Sequence, residues 1–346
     1  MIDIEQELWG MTAEGEAVVL YTLRNASGAE VRITNLGAAV VNFRTAEGAD
    51  LVLGYASAED YMKDTTGLGR VVGRTAGMTK LGRITMDGTD HTLDRNAGRH
   101  HRDGGAKGFQ ERLWESWVEN DRLAMALTSE DGDMGYPAEV NVQLIFDLGE
   151  DGGLEITYLA KSEGETIVNL THNLAFNLAG AGSILNHELQ ATASRVVEID
   201  PMEIPTGELL AVEGTALDFM TFRKIGAGIE EPFNHVADLG GYDHTLAVDG
   251  WAKNILGAVA TLRDPQSGRS IEVLSSQPAL HISTLNTMAG TTPKSRSGEE
   301  FTDHAGIVLR PMNFPDALNH PAFPTTRLGA GELYCQKSVF RPAIVR

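Results

Sequence analysis

Val140-Asn141-Val142-Gln143-Leu144-Ile145-Phe146 begins as a strict alternation of apolar and polar residues, the pattern of a strand with one buried face. A turn-rich segment with Gly and Asp follows, and Leu154-Glu155-Ile156-Thr157-Tyr158-Leu159 then repeats the alternation. Two such runs separated by turn residues are typical of neighbouring antiparallel strands. This pair therefore predicts a β-sheet with one face packed against a core.

The same pattern recurs along most of the chain. Further strand-like runs are Ala17–Leu23, Val31–Thr34, Ala39–Phe43, Asp50–Leu53 and Ala258–Leu262. Where the runs cluster, they lie roughly 8–12 residues apart with Gly, Asn or Asp between them, which is typical of an antiparallel sandwich or barrel. Helical periodicity is scarce, and we expect a short helix at Ser57–Lys63 with Ser57 as its cap. We therefore predict a single all-β domain over residues 1–346.

Net charge and cysteine usage limit the partners. Lys and Arg number 28 against 48 Asp and Glu, which gives a formal net charge of −20. Because nucleic acids and anionic membranes are bound by clustered Lys and Arg, this charge argues against both. The single cysteine, Cys335, excludes an intrachain disulfide, and the N-terminal segment Met1–Glu7 is acidic, unlike a signal peptide. Since no apolar stretch approaches the ~18 residues of a membrane span, we expect a cytoplasmic protein, either a monomer or a homodimer.

Four common catalytic motifs are absent from the sequence: the Gly-x-x-x-x-Gly-Lys-Ser/Thr phosphate loop, Cys-x-x-Cys, His-Glu-x-x-His and Gly-x-Ser-x-Gly. Their absence argues against P-loop NTPases, zinc ribbons, zincin proteases and the usual serine hydrolases. What remains is a set of polar clusters in strand-like contexts, namely Gly69–Arg74, Asn96–Gly105, Asn169–Gly180, Gly241–His244 and His304–Arg310.

In their order and spacing, these clusters resemble the aldose 1-epimerase (galactose mutarotase) family. Further matches extend the resemblance over nearly the whole chain, at Tyr21–Leu23, Leu53–Tyr55, Ile184–Leu189, Pro205–Glu208, Gly214–Phe219 and Gly331–Tyr334. The resemblance implies a large antiparallel β-sandwich with an open carbohydrate cleft on one sheet face. It also implies an isomerase that interconverts the α and β anomers of a small-molecule carbohydrate, without a cofactor. That reaction needs a base for the anomeric hydroxyl and an acid for the ring oxygen.

Two positions of the family's sugar site match this sequence, and three do not. The family's arginine falls on Arg74 and its aspartate on Asp243, and we expect both to bind substrate. The histidine of the family's His-Gly-Gly is replaced by Asp103, the histidine of its Asn-His by Asn173, and its catalytic glutamate by Arg310. An amide cannot protonate a ring oxygen, and a guanidinium cannot act as an ordinary base. The sequence therefore predicts an exchanged acid–base set.

Neighbouring histidines are candidates for the missing acid or base. Because side chains i and i+2 of a strand share a face, we expect His101 and Asp103 to face the cleft together. His172 adjoins Asn173 and would point to the opposite face unless a bulge re-aims it, so we rank it below His101. His281 is a candidate to line the cleft and bind substrate, with a core or surface position as its alternative.

Arg310 has two interpretations. With Arg74 in the same cleft, two guanidinium groups would bind a carboxylate or another anion, which would favour an acidic sugar or a related acid as substrate. In the alternative, Arg310 pairs with Asp103 and does not touch the substrate.

His100, His101 and Asp103 also admit a metal-binding interpretation, because His and Asp bind divalent ions. Consecutive histidines on a strand diverge, however, so this run gives an incomplete ligand set and we predict no metal site. The nearby Arg99, Arg102 and Arg112 are expected on a solvated face.

Two classes of function follow from these residues. The first is an isomerase of this family, or a descendant that catalyses another isomerisation, an epimerisation or an elimination on an anionic substrate. In the descendant, His101 and Asp103 would transfer protons, Arg74 and Arg310 would bind an anionic group, and Asp243 would bind a hydroxyl. The second class is a carbohydrate-binding protein that retained the fold and lost the chemistry, and it predicts binding without turnover.

Overall fold

The computed structural model describes residues 2–344, whose strands form three large antiparallel sheets and several two-stranded pairs. Val140–Leu148 and Leu154–Ser162, the strands that the alternation predicts, pair along their whole length. They belong to the largest sheet, whose nine strands are, in spatial order, Glu115–Glu119, Arg122–Ser129, Val140–Leu148, Leu154–Ser162, Leu333–Ile344, Arg269–Ser275, Gly257–Asp264, Glu188–Ala191 and Arg223–Lys224.

Two further sheets complete the main architecture. The six-stranded sheet has the spatial order Ala175–Phe176, Ile307–Met312, Ala279–Ser283, Asp243–Ala247, Arg195–Ile199 and Pro205–Ala211. The four-stranded sheet is an N-terminal meander of Asp3–Met11, Ala17–Arg24, Glu30–Thr34 and Val40–Arg44.

Short elements connect these sheets. The two-stranded pairs are Thr166–Ile167 with Arg327–Leu328, Thr171–His172 with Val71–Val72, Met78–Thr79 with His101–Arg102, and Arg83–Met86 with Thr89–Thr92. An α-helix spans Ala58–Lys63, and single 3₁₀ turns lie at Lys80–Gly82, Phe109–Glu111, Asp133–Gly135, Ile225–Ala227, Phe233–His235 and Ala317–Asn319.

The nine-stranded and six-stranded sheets pack face to face. Phe146 and Ile156 of the larger sheet and Leu280 of the smaller one are fully buried in the same apolar cluster. The rings of Phe176 and Phe340, one from each sheet, have centroids 5.5 Å apart. Apolar residues from two inner faces therefore form the core, as in other β-sandwiches.

The predicted all-β sandwich is confirmed, and so is the short helix. Ala58–Lys63 begins after Ser57, whose side chain accepts the backbone N–H of Asp60. This bond satisfies one of the donors that a helix N-terminus leaves unpaired. Within residues 2–344, no helix has the length and apolarity needed to cross a membrane.

The six-stranded sheet has one face on the core and one face free to carry polar groups. Leu280, Ile282 and Leu309 are fully buried against the other sheet. Because side chains alternate along a strand, their neighbours His281 and Arg310 point to the opposite face. This alternation places charged side chains of adjacent strands on one outward surface.

A tight turn after the strand His101–Arg102 approaches this surface. Asp103 and Gly104 both have positive φ values, +47° and +84°. A Cβ added at Gly104 would lie 1.7 Å from the carbonyl oxygen of Gly73. Only glycine fits here, since any side chain would collide with backbone as well as strain the turn.

The Gly104→Ala substitution is expected to destabilise the protein more than Gly180→Ala. Gly180 has a similar φ of +87° but no heavy atom within 4 Å of an added Cβ, so it isolates the backbone strain of about 1–2 kcal/mol. At Gly104, overpacking adds about 1–3 kcal/mol to the loss in the free energy of unfolding. Chemical denaturation of both variants measures the difference, and equal losses would contradict the close approach.

Candidate functional site

A cleft of about 320 Å³ opens on the outward face of the six-stranded sheet. Its polar wall carries Thr65, Thr66, Arg102, Asp103, Asn173, Glu203, Asp243, Thr245, His281, Ser283 and Arg310. Apolar side chains complete the lining, namely Met78, Ile199, Pro205, Leu285, Val308 and Pro315. Hydroxyl, amide and charged groups beside apolar surface suit a small polar ligand that also has apolar faces.

Strand register sets three of these side chains in a row. Thr245 pairs with His281, and His281 pairs with Arg310, on three neighbouring antiparallel strands. Asp243 lies two residues before Thr245 and therefore shares its face. The sheet thus fixes the relative positions of a hydroxyl, an imidazole, a guanidinium and a carboxylate.

Arg310 is bound on all its nitrogens by groups of the cleft floor. Nη1 and Nη2 each lie 3.2 Å from a different carboxylate oxygen of Asp103, and Nε donates to the Asn173 Oδ1 at 3.3 Å. The backbone N–H of Gly77 donates to the Asp103 Oδ1 at 2.8 Å. Asn173 in turn donates through its Nδ2 to the carbonyl oxygen of Thr66 at 3.0 Å. A bidentate guanidinium–carboxylate pair with these supports is a rigid unit.

His281 lies between a carboxylate and a hydroxyl. Its Nε2 is 2.8 Å from the Asp243 Oδ1, and its Nδ1 is 3.1 Å from the Thr245 Oγ1. The carboxylate holds the proton on Nε2, so the lone pair on Nδ1 faces the hydroxyl. This is the arrangement of an oriented general base, with a carboxylate behind the imidazole and a hydroxyl in front of it.

Arg102 faces the cleft as well and pairs with Glu203 through its Nη2. The side chain of Arg102 is 43% exposed and that of Glu203 is 32% exposed. This pair is therefore more open to solvent than the pair formed by Arg310, whose side chain is 10% exposed.

The neighbouring guanidinium groups keep the carboxylates of Asp103 and Asp243 ionised. Burial alone would raise the pKa of Asp103, but the guanidinium groups of Arg310 and Arg102 hold it below its usual range. Burial would also raise the pKa of Asp243, but its hydrogen bond to His281 and the same two guanidinium groups hold it well below that range. Neither carboxyl group carries a proton near neutral pH, so neither is suited to act as an acid there.

His101 does not share the cleft with Asp103, so that expectation is wrong. Its ring is fully buried and does not line the cleft, with Nδ1 2.7 Å from the Asp94 carbonyl oxygen and Nε2 2.5 Å from the Tyr136 hydroxyl. Burial lowers the pKa of His101. The i, i+2 rule fails because the strand ends at Arg102 and the positive φ of Asp103 turns its side chain back to the cleft.

His172 points into the core, and its neighbour Asn173 lines the cleft. The Nδ1 of His172 is 3.0 Å from the Tyr158 hydroxyl, and its Nε2 is 3.0 Å from the Ala38 carbonyl oxygen. Burial lowers the pKa of His172 to about 4, so the ring is neutral. No bulge re-aims His172, so it points away from the cleft as the alternation of side chains predicts, and its inclusion among the catalytic candidates is wrong.

Arg74 lies outside the cleft, which contradicts its assignment as a substrate ligand. It is 1% exposed, and its guanidinium donates to the carbonyl oxygens of Pro137, Ala138 and Ser129. It joins backbone segments and cannot share an anion with Arg310. The second guanidinium of the cleft is Arg102, which the sequence places on a solvated face.

The residues of the metal-binding interpretation do not converge. The Nδ1 of His100 accepts the backbone N–H of Leu81, whereas His101 and Asp103 have the separate partners described above. Over residues 2–344, no group of three His, Cys, Asp or Glu side chains is placed to hold a metal ion.

Sequence reasoning missed Thr245, Arg102 and Glu203 as cleft residues. The alternation rule would have predicted Thr245, since it lies two residues after Asp243 in the same strand. Arg102 directly precedes the turn at Asp103, so its side chain and that of Asp103 reach the same cleft from different backbone conformations. Glu203 comes from a separate loop, and no local pattern links it to Arg102.

Comparisons with known proteins agree with this fold. The aldose 1-epimerase family model matches residues 19–341. The galactose mutarotase of Bos taurus is 33% identical over 348 residues, covering 99% of each chain, and the aldose 1-epimerase of Escherichia coli K12 is 32% identical over 327 residues, covering 91% of each. The crystal structure of galactose 1-epimerase from Lactobacillus acidophilus superposes with a TM-score of 0.87 at 23% identity, over the whole of both chains.

The family match covers nearly the whole chain, and both enzymes that carry the family's names exceed 30% identity over most of their length. Together with the antiparallel sandwich and its open polar cleft, these matches show that the chain belongs to the aldose 1-epimerase family.

Proposed function

We propose that this protein is a sugar isomerase in which Thr245, His281 and Asp243 form the proton-transfer relay of the cleft. The observation that carries the proposal is the contact of one imidazole with a carboxylate at 2.8 Å and a hydroxyl at 3.1 Å. The family supports anomer interconversion as the reaction. The family's two histidines and glutamate are replaced in this cleft, so other side chains have to transfer the proton.

The relay begins as a general base. The anomeric hydroxyl of the sugar gives its proton to the Thr245 Oγ1, while the hydroxyl proton of Thr245 passes to the Nδ1 of His281. The imidazolium that forms is stabilised by the Asp243 carboxylate, which lies at its other nitrogen. An imidazole suits this step because one ring nitrogen can accept a proton while the other donates a hydrogen bond to the carboxylate.

Ring opening and closure complete the reaction. As the oxygen on C1 becomes a carbonyl oxygen, the bond between C1 and the ring oxygen breaks and its electrons remain on the ring oxygen. Hydrogen-bond donors of the cleft lining, among which are the hydroxyl groups of Thr65 and Ser283, stabilise the alkoxide that forms. Rotation about C1–C2 presents the other carbonyl face to the alkoxide, the ring closes, and the proton returns from His281 through Thr245.

In this proposal, Arg310 does not bind an anionic substrate directly but forms a neutral pair with Asp103. Its three nitrogens are already engaged by Asp103 and Asn173. The pair is neutral as a unit, so Arg310 contributes little net attraction for an anionic substrate. This favours the charge-pair interpretation of Arg310 over the anion site with Arg74.

Replacing His281 by Gln is expected to abolish enzyme-dependent α/β exchange of a bound aldose, because the base of the relay is lost. Asp243→Asn should reduce the exchange rate by at least about a hundredfold, in line with the usual contribution of general acid–base catalysis. Saturation-transfer NMR of the anomeric protons measures the exchange over a panel of aldoses.

His235→Gln provides a matched control. His235 also has a carboxylate, Asp238, at 2.9 Å, but it does not line the cleft. Its loss should leave the exchange rate unchanged. Exchange that survives in His281→Gln would contradict the relay, and binding of sugars without any exchange would favour the non-catalytic carbohydrate-binding protein.

Removing Arg310 alone is expected to destabilise the protein, and removing its partner as well should restore much of the loss. Arg310→Gln removes the bidentate partner of Asp103, whose side chain is only 24% exposed, and this costs about 3 kcal/mol in the free energy of unfolding. Asp103→Asn with Arg310→Gln should cost less. Denaturation of the single and double variants measures this, and a double variant as unstable as the single one would contradict mutual neutralisation.

The difference in the free energy of unfolding between the native protein and Arg310→Gln is expected to depend on pH. In the native protein the pKa of Asp103 is lowered, so its stabilising contribution is present above the ordinary carboxyl pKa and is lost as the pH falls through the folded-state value. In Arg310→Gln, burial is no longer opposed by that guanidinium, and the folded-state pKa rises. The gap in stability between the two proteins should therefore narrow as the pH is lowered.

A further inference from the structure

Arg102 has unused hydrogen-bond donors at the cleft. Its Nη2 donates to the Glu203 carboxylate, and its Nε and Nη1 have no hydrogen-bond partner among residues 2–344. A guanidinium has five N–H donors in a planar fork that matches a carboxylate in two parallel bonds. Arg102 therefore retains most of its binding capacity.

Arg102 differs in this respect from Arg310. The carboxylate of Asp103 covers both terminal nitrogens of Arg310, and Asn173 covers its Nε. Arg310 is also the more buried of the two guanidinium groups, at 10% exposure against 43%. Of the two cleft cations, Arg102 is the more accessible to a ligand.

Glu203 is held to Arg102 by its side chain alone. The turn that carries it is closed by Asp200, whose Oδ1 accepts the N–H groups of Met202 and Ile204 and whose carbonyl oxygen accepts the N–H of Glu203. The turn is exposed, with Met202 at 53%. The Glu203 side chain can therefore rotate away while the turn keeps its own hydrogen bonds.

The charges of the cleft favour exchange of one carboxylate for another. Two guanidinium groups, Arg102 and Arg310, face three carboxylates, Asp103, Asp243 and Glu203. If Glu203 leaves and no anion replaces it, Arg102 loses the one carboxylate among residues 2–344 that is hydrogen-bonded to its guanidinium, while Asp103 and Asp243 act on it only from a greater distance. A carboxylate on the substrate restores that partner and leaves the net charge of the cleft as it was.

We propose that the substrate is an aldose that carries a carboxylate, a uronic acid, and that Arg102 binds this carboxylate in place of Glu203. The inference rests on the proposed function in placing a sugar in the cleft, and it goes beyond it in naming the substrate class. Arg102 is then the residue that selects the acidic sugar over its neutral counterpart.

Isothermal titration calorimetry with matched sugar pairs tests the proposal. Glucuronate is compared with glucose, and galacturonate with galactose, because the members of each pair differ only at C6. We expect the uronate of at least one pair to bind at least about tenfold more tightly than its neutral partner. Arg102→Gln should weaken uronate binding about tenfold to hundredfold and leave binding of the neutral sugar unchanged.

Glu203→Gln gives a result of opposite sign and keeps the test valid if Arg102→Gln does not fold. It removes the competing carboxylate, so uronate should bind several-fold more tightly. Arg99→Gln, an exposed arginine three residues away that does not line the cleft, should change neither affinity. Equal binding of acid and neutral sugar, or weaker uronate binding in Glu203→Gln, would overturn the inference.

Failure of this inference and failure of the proposed function give different results. Uronate binding that depends on Arg102, without anomeric exchange of any sugar, overturns the isomerase and leaves the uronate site standing. Exchange that depends on His281 and shows no preference for uronates overturns the uronate site and leaves the isomerase standing.

Discussion

Between the strand Ile307–Met312 and the turn at Asp103, a guanidinium faces a carboxylate along two parallel contacts of 3.2 Å. Arg310 and Asp103 occupy positions at which the resemblance to the family implies a glutamate and a histidine, so both residues of the pair differ in type from the family pattern. Either change alone would leave a charge in the cleft floor without its partner, which is costly in a poorly solvated site. With Asn173 on the remaining nitrogen, the floor becomes a fixed, neutral unit, and the proposed proton transfer is therefore assigned to other side chains of the cleft.

The six-stranded sheet offers one such place. Thr245, His281 and Arg310 stand side by side because their strands pair in antiparallel register, and Asp243 shares the face of Thr245. Register in a sheet with a buried face is strongly constrained, since a slip of one residue would turn these polar groups into the core. The relay proposed for this cleft therefore depends on the same alternation that builds the sandwich.

Alternating runs such as Val140–Phe146 predict the sheets, because a half-buried strand needs little more than the right period. The sequence predicts a position at the cleft correctly for residues within regular strands, such as Asp243, His281 and Arg310. The prediction for His101 fails because Asp103 has left the strand conformation, and periodicity does not describe a turn with positive φ. Arg74 fails for another reason, since a motif match does not say which side of the chain its guanidinium faces.

The partnership of Arg102 with Glu203 shows the limit of reading local sequence. The two residues are 101 positions apart and come from a short strand and an exposed turn. Their meeting follows from tertiary packing alone. The proposed specificity of this cleft thus depends on residues that no local motif contains, whereas the fold follows from patterns that recur along the whole chain.

A crystal structure with an aldose bound in the cleft would test the central claim most directly. If the Thr245–His281–Asp243 relay transfers the proton, the anomeric hydroxyl should lie within about 2.6–3.2 Å of the Thr245 Oγ1. An anomeric hydroxyl directed at the Arg310–Asp103 pair, beyond hydrogen-bond reach of both Thr245 and His281, would contradict the account.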